Sequence, residues 1–316
     1  MIESVATPWM WAAFVVFVLG MLALDLGVFH RQAQKVTVKE AGLWSAVWVA
    51  LALAFGGLVW GTYGAERGTE FLAGYLIEKA LSVDNIFVFV LIFGAFSVPE
   101  QHQHRVLFWG ILGALVMRAV FVGLGAALLA RFHWVLYLFG AFLLVTGVKM
   151  LVLRGAGFDP RTNPVFRLFR RLVPAVETYH GAAFTVVQGG RRLATPLLLV
   201  LVAVELTDVV FAVDSVPAIF AVTKDPFLVF TSNIFAILGL RSLYFLLAGV
   251  VDRFHLLKVG LSLVLVFVGL KMLLAGWIKI PVALSLGVIA ALVAGAVLAS
   301  LIWPKPAPPA LPEGEG

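Results

Sequence analysis

Cysteine is absent from this sequence. That excludes disulfides, iron–sulfur clusters and thiolate metal sites, and says little about compartment. Charge is scarce as well: 13% of residues are Asp, Glu, Lys or Arg and 62% are hydrophobic, where a soluble domain is about half apolar and a quarter charged. Too little polar surface remains to solvate a globular fold. A large soluble helical bundle would need polar helix faces that the sequence does not supply. Histidine is also sparse, and His30, His102, His104, His133, His180 and His255 all fall at the ends of apolar stretches or between them. A central zinc or copper site built on imidazole is therefore not expected.

What the sequence does contain is apolar length. Nine stretches can each cross a bilayer, which takes about 20 residues: roughly 9–29, 41–62, 71–96, 106–130, 134–153, 196–222, 227–250, 255–275 and 281–303. The expected fold is an all-α membrane protein of nine transmembrane helices, with residues 1–303 as one domain. The first stretch follows MIESVATP, without a basic leader or a small-residue cleavage site, so no cleaved signal peptide is expected.

The formal charge of +6 reflects topology rather than nucleic-acid binding. With the N-terminus outside, thirteen Lys and Arg residues fall in cytoplasmic segments, against Arg67, Arg131, Lys224 and Lys279 outside. This positive-inside bias places the N-terminus outside and the C-terminus inside.

One long basic loop, 154–195, separates the fifth and sixth stretches. Within it, NPVFRLFRRLVP has apolar residues at helical spacing opposite Arg167, Arg170 and Arg171, as in a cationic helix lying on the inner leaflet. An ordinary solvated basic loop fits equally. AAFTVVQGGRRLATP reads as two short strands around a Gly-Gly turn. The Pro-rich tail, 304–316, is expected to be disordered.

The chain repeats itself. RFHWVLYLFGAFLLVTGVKML from Arg131 and RFHLLKVGLSLVLVFVGLKML from Arg253 share both ends at an offset of 122 residues. GILG at Gly110 resembles AILG at Ala236, and Glu78-x5-Asp84-Asn85 can be laid over Asp208-x5-Asp214-Ser215. Repeat 1 covers about 71–153 and repeat 2 about 196–275. Three spans per copy make the second enter from the opposite side, an inverted repeat of the kind found in secondary transporters.

Acids lie where water should not reach. Glu78 and Asp84 fall near the centre of the third stretch, and Glu205, Asp208 and Asp214 near the centre of the sixth. Each such group costs about 2.5–3.5 kcal/mol to insert, or more. On an ideal helix Asn85 and Ser82 stand about 20° and 40° from Glu78, with Asp84 about 120° round. Glu205 and Asp208 share a face, and Asp214 points away unless Pro217 breaks the helix.

Carboxylates with amide oxygens suit hard or intermediate divalent cations such as Mn²⁺, Mg²⁺, Ca²⁺ or Fe²⁺. Ionisable groups in the interior can also exchange protons for a metal ion. Lys79, Arg118 and Arg241 are expected as structural counter-charges, and Lys149, Lys258 and Lys271 can snorkel toward the ends. Asn233 is either a ligand or a helix–helix hydrogen bond. Asp25 reads as an interface residue. A cation site and a structural or proton-relay network both remain open.

EKALSVDNIFVF, ELTDVVFAVDSVPAIFAVTKDPFLVFTSNIFAILGLRSLYF and LDLGVFH closely resemble the TerC/Alx family of bacterial inner-membrane proteins. The resemblance covers the first eight stretches. It implies a LysE-like transporter fold in the inner (plasma) membrane and a role in manganese homeostasis, with export of Mn²⁺ from the cytoplasm. Tellurium-resistance labels attach to the same family. Carried over, its metal positions are Glu78, Asp84, Glu205, Asp208 and Asp214, with Asn85, Ser215 and Asn233 as secondary candidates. The implied partners are lipid, a divalent cation and H⁺, with a protein partner at the basic loop left open. The alternative is a non-transporting membrane protein that senses metal or loads it onto other proteins. An intramembrane aspartyl protease fits the symmetric repeat poorly, and no enzyme activity is expected.

Overall fold

The computed structural model describes residues 4–29, 37–132, 134–152, 171, 173–248, 254–278 and 280–303, without the side chains of 25–29, Asp84 and Phe87. The helix expected around Arg167–Arg171 falls almost wholly outside these residues. So do the tail and the Asp25 side chain.

The helices are α1 (Pro8–Phe29), α2 (Val38–Tyr63), α3 (Ala65–Ala95), α4 (Glu100–Arg131), α5 (Val135–Val152), α6 (Pro196–Phe220), α7 (Pro226–Leu238), α8 (Leu240–Leu247), α9 (Leu257–Leu273) and α10 (Val282–Ile302). Local chemistry fixes their ends. Thr37 and Glu40 form a reciprocal capping box at the start of α2. Gly64, at φ 88°, turns α2 directly into α3 in a backbone conformation that favours glycine. Asp225 caps α7 by accepting from the amides of Phe227 and Leu228, with Pro226 at the first helical position. The Asp225 carboxylate also accepts from the Val5 amide at 2.6 Å and fastens the N-terminal segment to α7.

Among the described residues, six of these segments are long and apolar enough to cross a membrane: α2, α4, α5, α6, α7 with α8, and α10. Of the others, α3 carries Glu78, Lys79 and Asp84 through its middle and α9 has 17 residues, while α1 is apolar over Pro8–Leu24, the part whose side chains are described. Large apolar side chains such as Val116, Val145, Leu284 and Leu298 are exposed along the outer helices, as a lipid-facing surface requires. Trp9, Trp60, Trp134, Trp277 and Trp303 are exposed near helix ends, where amphipathic rings suit the membrane interface.

α7 lies at the centre, with every residue from Phe227 to Leu238 buried. Phe14, Phe55, Phe71, Phe227 and Phe235 from α1, α2, α3 and α7 form one aromatic cluster, with Phe55 and Phe235 centroids 5.0 Å apart. The seventh stretch, expected as one helix, breaks at Gly239. Lys79 donates to the Ala236 carbonyl near the end of α7, a cation at the negative end of a helix. Conversely, α6 runs unbroken through Pro217, and the expected break is not there. Pro217 stands in the last turn and takes away the backbone donor that would meet the Val213 carbonyl one turn upstream, yet the helix continues to Phe220.

Helices of the two sequence copies pack crosswise, α3 on α7 and α4 on α6, while α3 meets α6 and α5 meets α9. The α5–α9 contact is antiparallel and nearly backbone to backbone. A Cβ on Gly140 would stand 3.0 Å from the Gly269 carbonyl oxygen, and one on Gly147 2.8 Å from that of Ser262. The loop before α6 contains the expected hairpin: β1 (Thr185–Gln188) pairs antiparallel with β2 (Arg191–Ala194). Gly189 and Gly190 form its turn at φ 60° and 76°, as a two-residue hairpin turn requires. Tyr179 ties this loop to the end of α3 by donating to the Phe96 carbonyl at 2.8 Å. Burial raises the pKa of that phenol, which keeps it a donor.

Candidate functional site: a buried guanidinium among carboxylates

The central feature is Arg118 on α4, fully buried. Its Nη1 donates to Glu78 Oε1 on α3 at 2.7 Å, to Asn233 Oδ1 on α7 at 3.3 Å and to the Ser215 hydroxyl on α6. Its Nη2 and Nε reach the two oxygens of Asp208 on α6 at 3.2 and 3.4 Å. Asn233 returns a hydrogen bond from Nδ2 to Glu78 Oε2 at 3.2 Å. One planar fork thus joins four helices, with the two-pronged match to a carboxylate that guanidinium geometry favours. Glu78 and Asp208, which the sequence overlay lays over one another, are held by a single arginine.

Helical periodicity explains the grouping. Glu78 and Asn85 are seven residues apart, as are Asp208 and Ser215, so each pair shares a helix face. The kinship of Asp208 and Ser215 is legible in this spacing, apart from the overlay on Asn85 and the family resemblance that make Ser215 a secondary candidate.

Beside this network is a cavity with about 50 Å³ of water-accessible space, lined by Glu78, Asn85, Arg118, Phe211, Asp214 and Ser215, among others. A water needs about 10–15 Å³ by this measure, so there is room for a few. Asn85 is buried and its Oδ1 has no hydrogen-bond partner among the described residues. That acceptor gives the cavity wall an unmet demand for a donor or a cation. Asp214 reaches the cavity without a broken α6. The Thr146 side chain on α5 lies beside it. Thr146 carried no signal in the sequence, because nothing there pairs α5 with α6.

Glu205 sits apart from the guanidinium, half-buried and facing α4. A Cβ on Gly113 would collide with its carboxylate, which occupies the space that the missing side chain leaves. Gly113 belongs to the GILG segment already noticed as repeated, and its counterpart Gly239 faces the Lys79 ammonium in the same way, at 3.0 Å. Arg241 is buried next to His104, with Nη1 and Nε2 3.4 Å apart. The Asp84 side chain lies outside the described residues. Among the described residues, no three acidic or imidazole groups already converge on one point. Glu78 and Asp208 converge on Arg118 instead.

A helical chain with several membrane-crossing segments around a buried ion-pair network is an integral, multi-pass membrane protein. Residues 63–307 match the integral membrane protein TerC family, and the chain belongs to that family. It is 57% identical over 305 residues to a membrane protein of Myxococcus xanthus, covering 96% of each chain. It is 49% identical over 296 residues to Alx of Escherichia coli (strain K12), covering 91% of this chain and 92% of the other. The name of that relative proposes a membrane-bound redox modulator. A membrane protein of Rickettsia bellii is 39% identical over 292 residues, covering 92% of this chain and 97% of its own. No solved structure matches the chain.

Proposed function

We propose that this protein is a divalent-cation carrier of the bacterial inner membrane, exporting Mn²⁺ from the cytoplasm in exchange for protons, without enzymatic activity. It has nine spans, α7 and α8 forming one of them. The N-terminus is outside and the C-terminus inside, and α3–α5 and α6–α9 are inverted copies. The antiparallel glycine contact of α5 with α9 and the crosswise packing of α3, α4, α6 and α7 support that symmetry.

The carrying observation is a charge imbalance in the apolar interior. Glu78 and Asp214 line a small cavity, Asp208 shares Arg118 with Glu78, Glu205 lies half-buried against α4, and Arg118 supplies the one cation ion-paired with Glu78 and Asp208 among the described residues. Buried charge without compensation is costly, and a divalent cation supplies what the arginine does not. Carboxylate, amide and hydroxyl oxygens are donors for Mn²⁺ or Mg²⁺ rather than for soft metals. Proton exchange at the same carboxylates supplies the return flux. The chain has no cysteine, so a redox role of the kind its relative's name states cannot use thiol exchange here. A redox effect through metal supply is compatible with the carrier.

The test is ⁵⁴Mn uptake into inside-out vesicles holding the purified protein, with and without a proton gradient. Gradient-stimulated, saturable uptake that disappears in Asp214→Asn is expected. Mn²⁺ binding without flux would turn the reading to a metal sensor or metal-loading protein.

Gly113→Ala makes a finer prediction. The new methyl group displaces the end of a flexible side chain rather than backbone, so stability should change by less than about 1 kcal/mol. Flux should nevertheless fall to the level of Glu205→Gln. The double variant should be no worse than either single one, as for two changes acting on one carboxylate. Additive losses would show that Gly113 matters for another reason.

A further inference from the structure

Arg118 is too well satisfied to be a spectator of cation binding. Resting on the carrier reading above, we infer that Arg118 is a tethered competitor of the transported cation. It neutralises Glu78 and Asp208 when no substrate is bound, and it gives them up to the cation by swinging across the cavity to Asp214.

Three observations carry this. First, a carboxylate from α3 and one from α6 are already engaged by one guanidinium, at 2.7 Å from Glu78 and 3.2 Å from Asp208. While the guanidinium holds them, those oxygens offer a divalent ion fewer lone pairs and a positive charge close by that repels it, so binding is favoured by an exchange. Second, the exchange has somewhere to go. Arg118 and Asp214 line the same cavity, and the space between is large enough for a few waters but walled by side chains. Third, the charges balance once the cation is bound: the guanidinium leaves two carboxylates for a third, and Glu78, Asp208 and Asp214 then face the guanidinium and the incoming dication, three negative charges against three positive ones. Without the dication Asp214 has no cation beside it, and the proton taken in exchange neutralises it. Ser215 and Asn233 then act as positioning residues, because each accepts from Arg118 Nη1 in the resting arrangement.

The reading differs from a purely structural arginine in the sign of one measurement. A structural arginine organises the cation site, so removing it weakens binding. A competitor occupies the site, so removing it strengthens binding. Mn²⁺ affinity is measured by calorimetry on the purified full-length protein, beside its melting temperature with and without Mn²⁺ and its vesicle flux. Arg118→Gln should bind Mn²⁺ about tenfold more tightly or better, because the competing state is gone. It should be stabilised by Mn²⁺ more than the wild type is, and should turn over more slowly because nothing helps expel the ion. Ser215→Ala keeps the guanidinium but loosens its resting place, and should bind several-fold more tightly. Unchanged or weaker affinity in folded Arg118→Gln overturns the inference. Should that variant fail to fold, Ser215→Ala decides by the same criterion. Wild-type protein that transports Mn²⁺ while these variants bind no tighter would leave the carrier standing and the competitor refuted. Wild-type protein that neither binds nor moves Mn²⁺ would overturn both.

Discussion

Glu78→Ala should destabilise the protein by about 3–5 kcal/mol and reduce Mn²⁺ flux to background, because it strands a buried guanidinium. Glu78 is fully buried and accepts from both Arg118 and Asn233. Alanine supplies no acceptor, and a water from the adjoining cavity could replace a hydrogen bond but not the lost charge. Asp208 remains, but its oxygens already take Nε and Nη2, which leaves Nη1 with Ser215 and Asn233 alone. Glu78→Gln should recover part of the stability through its amide oxygen without restoring transport, since the negative charge is gone. Chemical or thermal unfolding of the purified variants in detergent checks the first statement, and vesicle flux the second. A Glu78→Ala protein as stable as the wild type would mean that the Arg118 network does not hold α3, α4, α6 and α7 together.

Gly269→Ala should cost about 1–3 kcal/mol, near the upper end of that range, since overpacking is worst where the obstacle cannot rotate away. Its Cβ would lie 2.7 Å from the Leu144 amide nitrogen and 2.8 Å from the Gly140 carbonyl oxygen, both backbone atoms of α5. The two helices can accept the methyl group only by separating. In a membrane, small residues that let backbones approach are a main source of helix association. Gly269→Val should exceed the alanine effect. Gly287→Ala on α10 is the internal control: nothing lies within 4 Å of its Cβ, so it should be neutral or stabilising by up to about 1 kcal/mol from helix propensity. Melting temperatures of the three variants in one detergent decide the matter. Equal melting temperatures for Gly269→Ala and Gly287→Ala would remove the α5–α9 contact from the account of stability.

The two predictions rest on differently legible features. The glycines of the α5–α9 contact were visible in the sequence as part of a repeated ending, but nothing in the repeat says that its two copies press against each other. The acids of α3 and α6 were visible as an anomaly of polarity, and the carboxylate, amide and hydroxyl candidates were collected on that ground and by family resemblance. Angular spacing along one helix put Glu78 with Asn85 and would have put Asp208 with Ser215. It gave no reason for Asp208 on one helix and Glu78 on another to share one guanidinium. Pro217 announced a lost donor and a clash one turn upstream, and α6 nevertheless continues through it to Phe220. The actual break, at Gly239, had only a single glycine to announce it, a signal most membrane helices absorb without breaking.

The sequence by itself determined the solvent, the number and placement of apolar stretches, the hairpin with its Gly-Gly turn, and which residues are out of place in an apolar interior. These follow from composition, period and local backbone preference, which act over a few neighbouring residues. Only the tertiary structure decided that Arg118 bridges the two repeats, that Gly113 makes room for Glu205, that Lys79 turns away to the end of α7, and that Asp214 faces the cavity from an unbroken helix. Each of these depends on contacts between residues far apart in the chain, where the favoured partner of a buried charge is set by which side chains the packed helices bring within hydrogen-bonding distance.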